Sequence, residues 1–144
     1  MCGVLLYYEY TAQAGLLPRS RAGALMEVAL DSTLLADRLL DLLSDRQAEE
    51  LARIDIRRAA SFADYFVIAS VGSVRQMNAL IDTLEKEMRA AGVPLEAQEG
   101  LPDSGWVLLD FGSVIVHLFS HEQRAYYDLE GLWSRSAPLV RFGT

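Results

Sequence analysis

The sequence has a single cysteine and no long apolar run. Cys2 is the only cysteine among 144 residues, so an internal disulfide and a multi-cysteine zinc cluster are both excluded. A metal site would depend on histidine and carboxylate ligands alone. Charged residues interrupt every apolar stretch before it reaches the roughly 18 to 20 residues that a membrane helix requires. We therefore expect a cytoplasmic protein with no membrane span.

Basic residues are also scarce. Thirteen Lys and Arg stand against twenty Asp and Glu, which gives a formal net charge of -7. A protein that neutralises many phosphates usually presents a basic face, whereas here only Arg57 and Arg58 form a short basic run. Little direct contact with nucleic acid is expected. A basic protein is the better electrostatic match for a binding partner.

Residues 1–25 lack the periodicity of the rest of the chain. They contain one acidic residue, two arginines and three glycines, and they follow neither the period of two of a strand nor the period of 3.6 of a helix. We interpret 1–25 as a disordered N-terminal extension and 26–144 as one domain. With 51% hydrophobic residues, a chain of this length can bury one sizeable core.

Periodicity predicts a mixture of helices and strands in the domain. Leucines at helical spacing follow a cap at Asp31 or Ser32 and predict a helix to about residue 43. The remaining predicted elements are strands at 51–56, 65–69 and 95–99, a helix that starts at Gly72–Ser73 and stops at Gly92, and a final helix from Ser120 to about Trp133. We therefore expect an α/β fold, with helices packed on a mixed sheet of about five strands.

The stretch from 106 to 119 predicts a β-hairpin at or near an edge of the sheet. Two apolar runs flank Gly112–Ser113, a pair suited to a two-residue turn. If Phe111 pairs with Val114, one face carries Trp106, Leu108, Asp110, Ile115, His117 and Phe119. The opposite face is uniformly apolar and is expected to be core. Because an indole, a carboxylate and an imidazole together make a poor core, we expect the first face to bind a partner.

Six residues are the candidates for this contact: Trp106, Asp110, Phe111, His117, Phe119 and Tyr127. Trp106 is the expected anchor, and Phe119 extends the apolar contact. Asp110 is expected to accept a hydrogen bond from a Lys or Arg of the partner, and His117 to bond at the rim. Phe111 belongs by register to the core face and contributes only if the turn projects it outward. Tyr127 is the tyrosine expected to be exposed on the final helix.

Two segments resemble the Iojap/RsfS family of ribosomal silencing factors. They are SFADYFVIASVGSVRQMNAL at 61–80 and WVLLDFGSVIVHLFSHEQRAYYDLEGLW at 106–133. With the first helix, the resemblance covers about 34–133, and the combination of ADYFVIA, VIVH and RxYYxLExLW makes it specific. The resemblance implies binding to ribosomal protein fourteen of the large ribosomal subunit. It also implies that the protein sterically blocks joining of the small subunit and so lowers translation when nutrients are scarce. No cofactor is expected.

An enzyme is the alternative function, because this family resembles nucleotidyltransferases in fold. Gly72–Ser73 after an apolar strand is the start of their signature, but nucleotidyl transfer also needs paired carboxylates about ten residues later to hold magnesium. The nearest acid, Asp82, lies in a predicted helix without such a partner. His117 and His121 are four residues apart and have no third ligand of clear spacing. We therefore expect no catalytic residue and no metal site. A homodimer formed through the hairpin face is a third alternative.

Overall fold

The computed structural model describes residues 31–142. The predicted extension 1–25 lies outside the described residues. The elements in chain order are α1 (Ser32–Asp45), β1 (Glu49–Asp55), β2 (Tyr65–Val71), α2 (Val74–Ala90), β3 (Ala97–Glu99), a 3-10 turn (Pro102–Ser104), β4 (Trp106–Asp110), β5 (Val114–Ser120), α3 (His121–Tyr127), α4 (Leu129–Trp133) and β6 (Leu139–Phe142).

The strands form one mixed sheet in the order β3-β4-β5-β2-β1-β6. β2 and β5 are parallel neighbours, and the other pairs are antiparallel. The predicted α/β fold is confirmed, and the β4–β5 hairpin lies one strand from an edge as expected. The sheet has one strand more than the five predicted. That strand, β6, has only four residues and pairs with β1, so it has little periodicity of its own to detect.

Helices α1 and α2 cover one face of the sheet. The Asp31 side chain accepts a hydrogen bond from the backbone N of Thr33 at 3.0 Å, and Ser73 caps α2 by accepting from the backbone N of Gln76 at 3.0 Å. The apolar stripe of α2 is buried as predicted, and its members are Met77, Leu80, Ile81, Leu84 and Met88. These helices pack on the uniformly apolar face of the hairpin, which confirms that face as core.

The predicted final helix is two helices, because the chain turns at Asp128. Ser120 caps α3 by accepting from the backbone N of Gln123 at 3.1 Å, as expected. Asp128 adopts a left-handed conformation with φ of 45°, a region that Asp tolerates better than most residues. Its carboxylate then caps α4 by accepting from the backbone N of Gly131 at 3.1 Å. The single-helix prediction was wrong because a side-chain cap restarts the helix in a new direction.

A second core lies on the opposite face of the sheet. Its buried members are Ala52, Ile54, Ile56, Phe62, Ala63, Phe66, Ile68, Trp106, Leu108, Ile115, Phe119, Leu129 and Ala137. Trp133 at the end of α4 packs edge-on against Phe66, with ring centroids 5.1 Å apart. The sheet is therefore covered on both faces, and the hairpin face predicted to bind a partner lies inside this second core.

Candidate partner-binding surface

The predicted register of the hairpin is confirmed. Trp106 pairs with Phe119 and Leu108 pairs with His117. The backbone N of Phe111 donates to the Val114 carbonyl at 3.0 Å and closes the turn. The residues predicted to share one face of the sheet therefore do share it.

The expectation that this face is open to a partner was wrong. Only 1% of the Trp106 surface is exposed, and Asp110, His117 and Phe119 are also buried. Phe111 is buried in the first core, under α1 and α2, as its register assigned. The reason is that α3 and α4 fold back over the hairpin. Whether a strand face of mixed composition is solvated depends on the segments that pack over it.

His117 fits in the second core because its ring is neutral. Indole Nε1 of Trp106 donates to Nδ1 of His117 at 3.1 Å, which requires that Nδ1 carry no proton. Burial lowers the pKa of His117 to about 3, since the charged form would lose its hydration. Phe66 adds an edge-on ring contact at 4.8 Å. A polar residue with these contacts is compatible with a core.

Asp110 stabilises the hairpin turn. Its Oδ1 accepts from the backbone N of Gly112 at 2.7 Å, the local bond by which Asp commonly holds a turn. Gly112 has a φ of 92°, which favours glycine at this position. The side chain predicted to bond a partner's cation is thus buried and directed at its own turn.

The exposed aromatic residue lies one position before the one predicted. Tyr126 is 74% exposed, whereas Tyr127 is half-buried against the second core. Their rings are 4.9 Å apart, and Tyr127 contacts Trp106 at 4.6 Å. Tyr127 follows the buried Arg124 by three residues and so shares its inward face. A chain of ring contacts therefore leads from the protein surface to the predicted anchor.

We define the corner surface as five residues of α3, α4 and the turn between them that are exposed or half-buried: Glu122, Tyr126, Tyr127, Asp128 and Leu132. Leu132 is 72% exposed, and both carboxylates lie on exposed residues. Glu122 precedes Tyr126 by four residues on α3, so the two share a helix face. Exposed aromatic and apolar side chains on the same two short helices as exposed carboxylates are suited to a basic protein partner.

Two residues considered for catalysis or metal binding, Asp82 and His121, lie at the protein surface. Asp82 lies exposed on α2, and His121 contacts the carboxylates of Glu49 and Glu50 at 2.8 and 3.2 Å. Within the described part of the chain, no three His, Cys, Asp or Glu side chains are grouped so that they could hold a metal ion. Among residues 31–142, no helix has the length and apolar character needed to span a bilayer.

The sequence model of the family described as "Ribosomal silencing factor during starvation" matches residues 29–143. The chain belongs to the ribosomal silencing factor family. A member from Zymomonas mobilis, named ribosomal silencing factor RsfS, is 42% identical over 107 residues, which cover 74% of this chain and 80% of the relative. The predicted Iojap/RsfS resemblance is therefore confirmed.

Two further proteins are similar to this member of the silencing-factor family. A mouse protein named mitochondrial assembly of ribosomal large subunit protein 1 is 34% identical over 101 residues, covering 68% of this chain and 44% of the relative. A crystal structure of a Bacillus halodurans protein is 32% identical, with a TM-score of 0.64 over 76% of this chain and 98% of that one. The family fold is thus shared over nearly the whole of that structure.

Proposed function

We propose that the protein binds the large ribosomal subunit through ribosomal protein fourteen and sterically blocks joining of the small subunit. In this way it represses translation when nutrients are scarce. Membership of the silencing-factor family supports the proposal, and the mouse relative's name refers to the large ribosomal subunit. A protein that acts by occupying space needs affinity and correct placement but no chemical step. We therefore propose a regulator that is not an enzyme.

The corner surface carries the residue-level proposal. Exposed aromatic side chains that rest on a packed support are typical binding hot spots, because they lose little conformational freedom on binding. Tyr126 has such a support in Tyr127, which contacts buried Trp106. Trp106 also stacks on Phe119, with centroids 4.9 Å apart. We propose that the two tyrosines and Leu132 touch the partner.

The other predicted contact residues are buried and do not lie on this surface. Trp106 and Phe119 hold Tyr127 in place, and His117 holds the Trp106 indole. Asp110 maintains the turn between the two strands, and Phe111 anchors that turn in the first core. Changes at these positions are expected to affect binding through the fold and not through a lost contact with the partner.

Co-sedimentation with purified large ribosomal subunits tests the proposal. Tyr126→Ala is expected to weaken binding roughly thirtyfold, equivalent to about 2 kcal/mol for a central aromatic anchor. Leu34→Ala is the matched control, because Leu34 is an apolar residue of α1 that is 56% exposed. It should bind like the wild type. If Tyr126→Ala and Leu132→Ala both sediment with wild-type affinity, the corner surface is not the docking surface.

Charge reversal tests the nature of the partner. Glu122→Lys places a cation beside Tyr126 and should slow association with a basic partner and weaken the complex. Asp41→Lys makes the same change at an exposed position of α1 and should have no such effect. Binding to isolated ribosomal protein fourteen should show the same order of affinities. Binding to whole subunits but not to that protein would place the contact elsewhere on the subunit.

A further inference from the structure

α3 and α4 are too short to hold their own geometry. They have seven and five residues, whereas isolated helices shorter than about 12 to 15 residues are marginal in water. The angle between them, and with it the arrangement of Tyr126 and Leu132, must come from contacts with the rest of the domain.

A buried ion pair joins the two helices across the corner. Arg124 of α3 is 7% exposed and Glu130 of α4 is 6% exposed. Arg124 Nε donates to Glu130 Oε1 at 3.1 Å, and Nη2 donates to Oε2. Burial raises the pKa of Glu130, but the bonds and charges of Arg124 and Arg141 outweigh it and hold that pKa below its ordinary value. The two-pronged arrangement fixes the relative orientation of the groups, not only their separation.

The remaining contacts of Arg124 tie the corner to the sheet. Nη1 donates to the backbone carbonyl of Glu50 in β1 and to Ser70 Oγ in β2, the latter at 3.0 Å. β1 carries a register shift between Glu49 and Ala52, and Glu50 adopts a φ of 52°. A bulge of this kind turns a backbone group away from the regular ladder. One guanidinium therefore makes four hydrogen bonds to three groups, one each on α4, β1 and β2.

Stability alone does not require a buried ion pair at such a position. Well-packed apolar residues often replace a buried ion pair at little cost, or even with a gain. What apolar side chains do not supply is direction, because their packing is not oriented by hydrogen bonds. A role in fixing geometry is therefore distinguishable from a role in holding the domain folded.

We propose that Arg124 is the positioning residue of the corner surface, which it aligns for docking by holding Glu130 against the β1 bulge. The inference rests on the proposed docking function. It assigns to the first and seventh residues of the RxYYxLExLW segment a task that the sequence did not disclose. Neither residue contacts the partner directly, since both are buried.

The first test replaces the pair with apolar residues of similar length. In Arg124→Met/Glu130→Met, the unfolding midpoint is expected within a few degrees of the wild type, while affinity for large subunits falls at least tenfold. The same exchange at the exposed pair Arg89 and Glu85 of α2 is the control and should alter neither. Wild-type affinity in a folded Arg124→Met/Glu130→Met protein would overturn the proposal.

A milder variant keeps the proposal testable if the double variant does not fold. Arg124→Lys keeps the charge but loses the two-pronged bond, and it is expected to weaken docking severalfold. Hydrogen exchange supplies the second readout. Backbone amides of 122–133 should lose protection while those of β2 keep theirs. Uniform loss across the domain, or wild-type binding, would show that the pair only stabilises the fold.

Failure of this inference is distinguishable from failure of the docking surface. If Tyr126→Ala loses binding but the Arg124 variants keep it, the surface is right and the positioning role is wrong. If Tyr126→Ala and Leu132→Ala keep wild-type affinity, the docking surface itself is wrong, and with it the inference.

Discussion

Trp106 and His117 lie on adjacent strands, and the indole Nε1 of the first donates to the imidazole Nδ1 of the second at 3.1 Å. Both side chains are buried, and each serves as hydrogen-bond partner to the other. This bond satisfies the indole Nε1 of Trp106 and the Nδ1 of His117, so that two large rings can occupy a core with those two atoms paired. It makes the mixed hairpin face an interior that supports the corner surface.

Trp106→Ala should destabilise the fold. Removing a fully buried indole leaves a large cavity beneath Tyr127, so we expect the free energy of unfolding to fall by about 3 to 5 kcal/mol. Urea unfolding followed by circular dichroism measures it. Tyr126→Ala is the control and should change stability by less than about 0.5 kcal/mol, because that ring is largely exposed. A Trp106→Ala protein as stable as the wild type would contradict the burial of Trp106 in the second core.

His117 should make the protein less stable in mild acid. Its folded pKa of about 3 lies below its unfolded value of about 6.5. The unfolded chain therefore binds a proton first as the pH falls. The stability that depends on neutral His117 is fully present above the unfolded pKa. It is lost progressively as the pH falls from about 6.5 to 3. Between pH 7.5 and 5 the loss should be about 2 kcal/mol.

Urea unfolding at the two pH values measures this loss. His117→Asn should remove most of it while lowering stability at both pH values. A wild-type protein that is equally stable at pH 7.5 and 5 would mean that His117 is not buried in its neutral form.

Gly131→Ala should destabilise α4, although alanine normally favours a helix. A Cβ added at Gly131 would lie 2.2 Å from Asp128 Oδ2, so the carboxylate that caps α4 would have to move. We expect a loss of about 1 kcal/mol, the usual value of a cap. Gly72→Ala is the control, because its Cβ would meet Gln76 Oε1 at an ordinary 3.6 Å. Equal melting temperatures for the two variants would contradict the role of the cap.

Nucleotidyl transfer should be absent. Asp82 lies on the exposed surface of α2, and the described residues offer no grouped ligands for magnesium. Incubation with each nucleoside triphosphate and magnesium should show no turnover above buffer. Turnover that is abolished by Asp64→Asn or Asp82→Asn would establish the rival enzymatic function.

Removal of residues 1–25 should leave the domain intact. Their sequence has no core periodicity, so a protein that begins at Met26 is expected to melt within about 2 °C of the full chain. Thermal unfolding of the two chains makes the comparison. A large drop in the melting temperature would show that the segment belongs to the fold.

The sequence by itself determined most of the local elements, though not β6 or the break between α3 and α4, and it determined the register of the hairpin. Side chains alternate strictly along a strand, so once Gly112–Ser113 is the turn, the pairing of Trp106 with Phe119 follows. Apolar residues repeated at helical spacing likewise predicted α1 and α2 and the face that α2 buries. The family was also recognisable, because its segments are nearly continuous stretches of sequence.

Only the tertiary structure decided that the mixed face of the hairpin is interior. The hairpin's own residues do not show that α3 and α4 return over them, nor that Tyr126 and not Tyr127 is the exposed ring. Arg124 meets the Glu50 carbonyl across 74 positions of sequence, at a bulge with no local signature. Burial and ion pairing are sums over contacts between distant segments, and a pattern within one segment holds no record of the segment that will cover it.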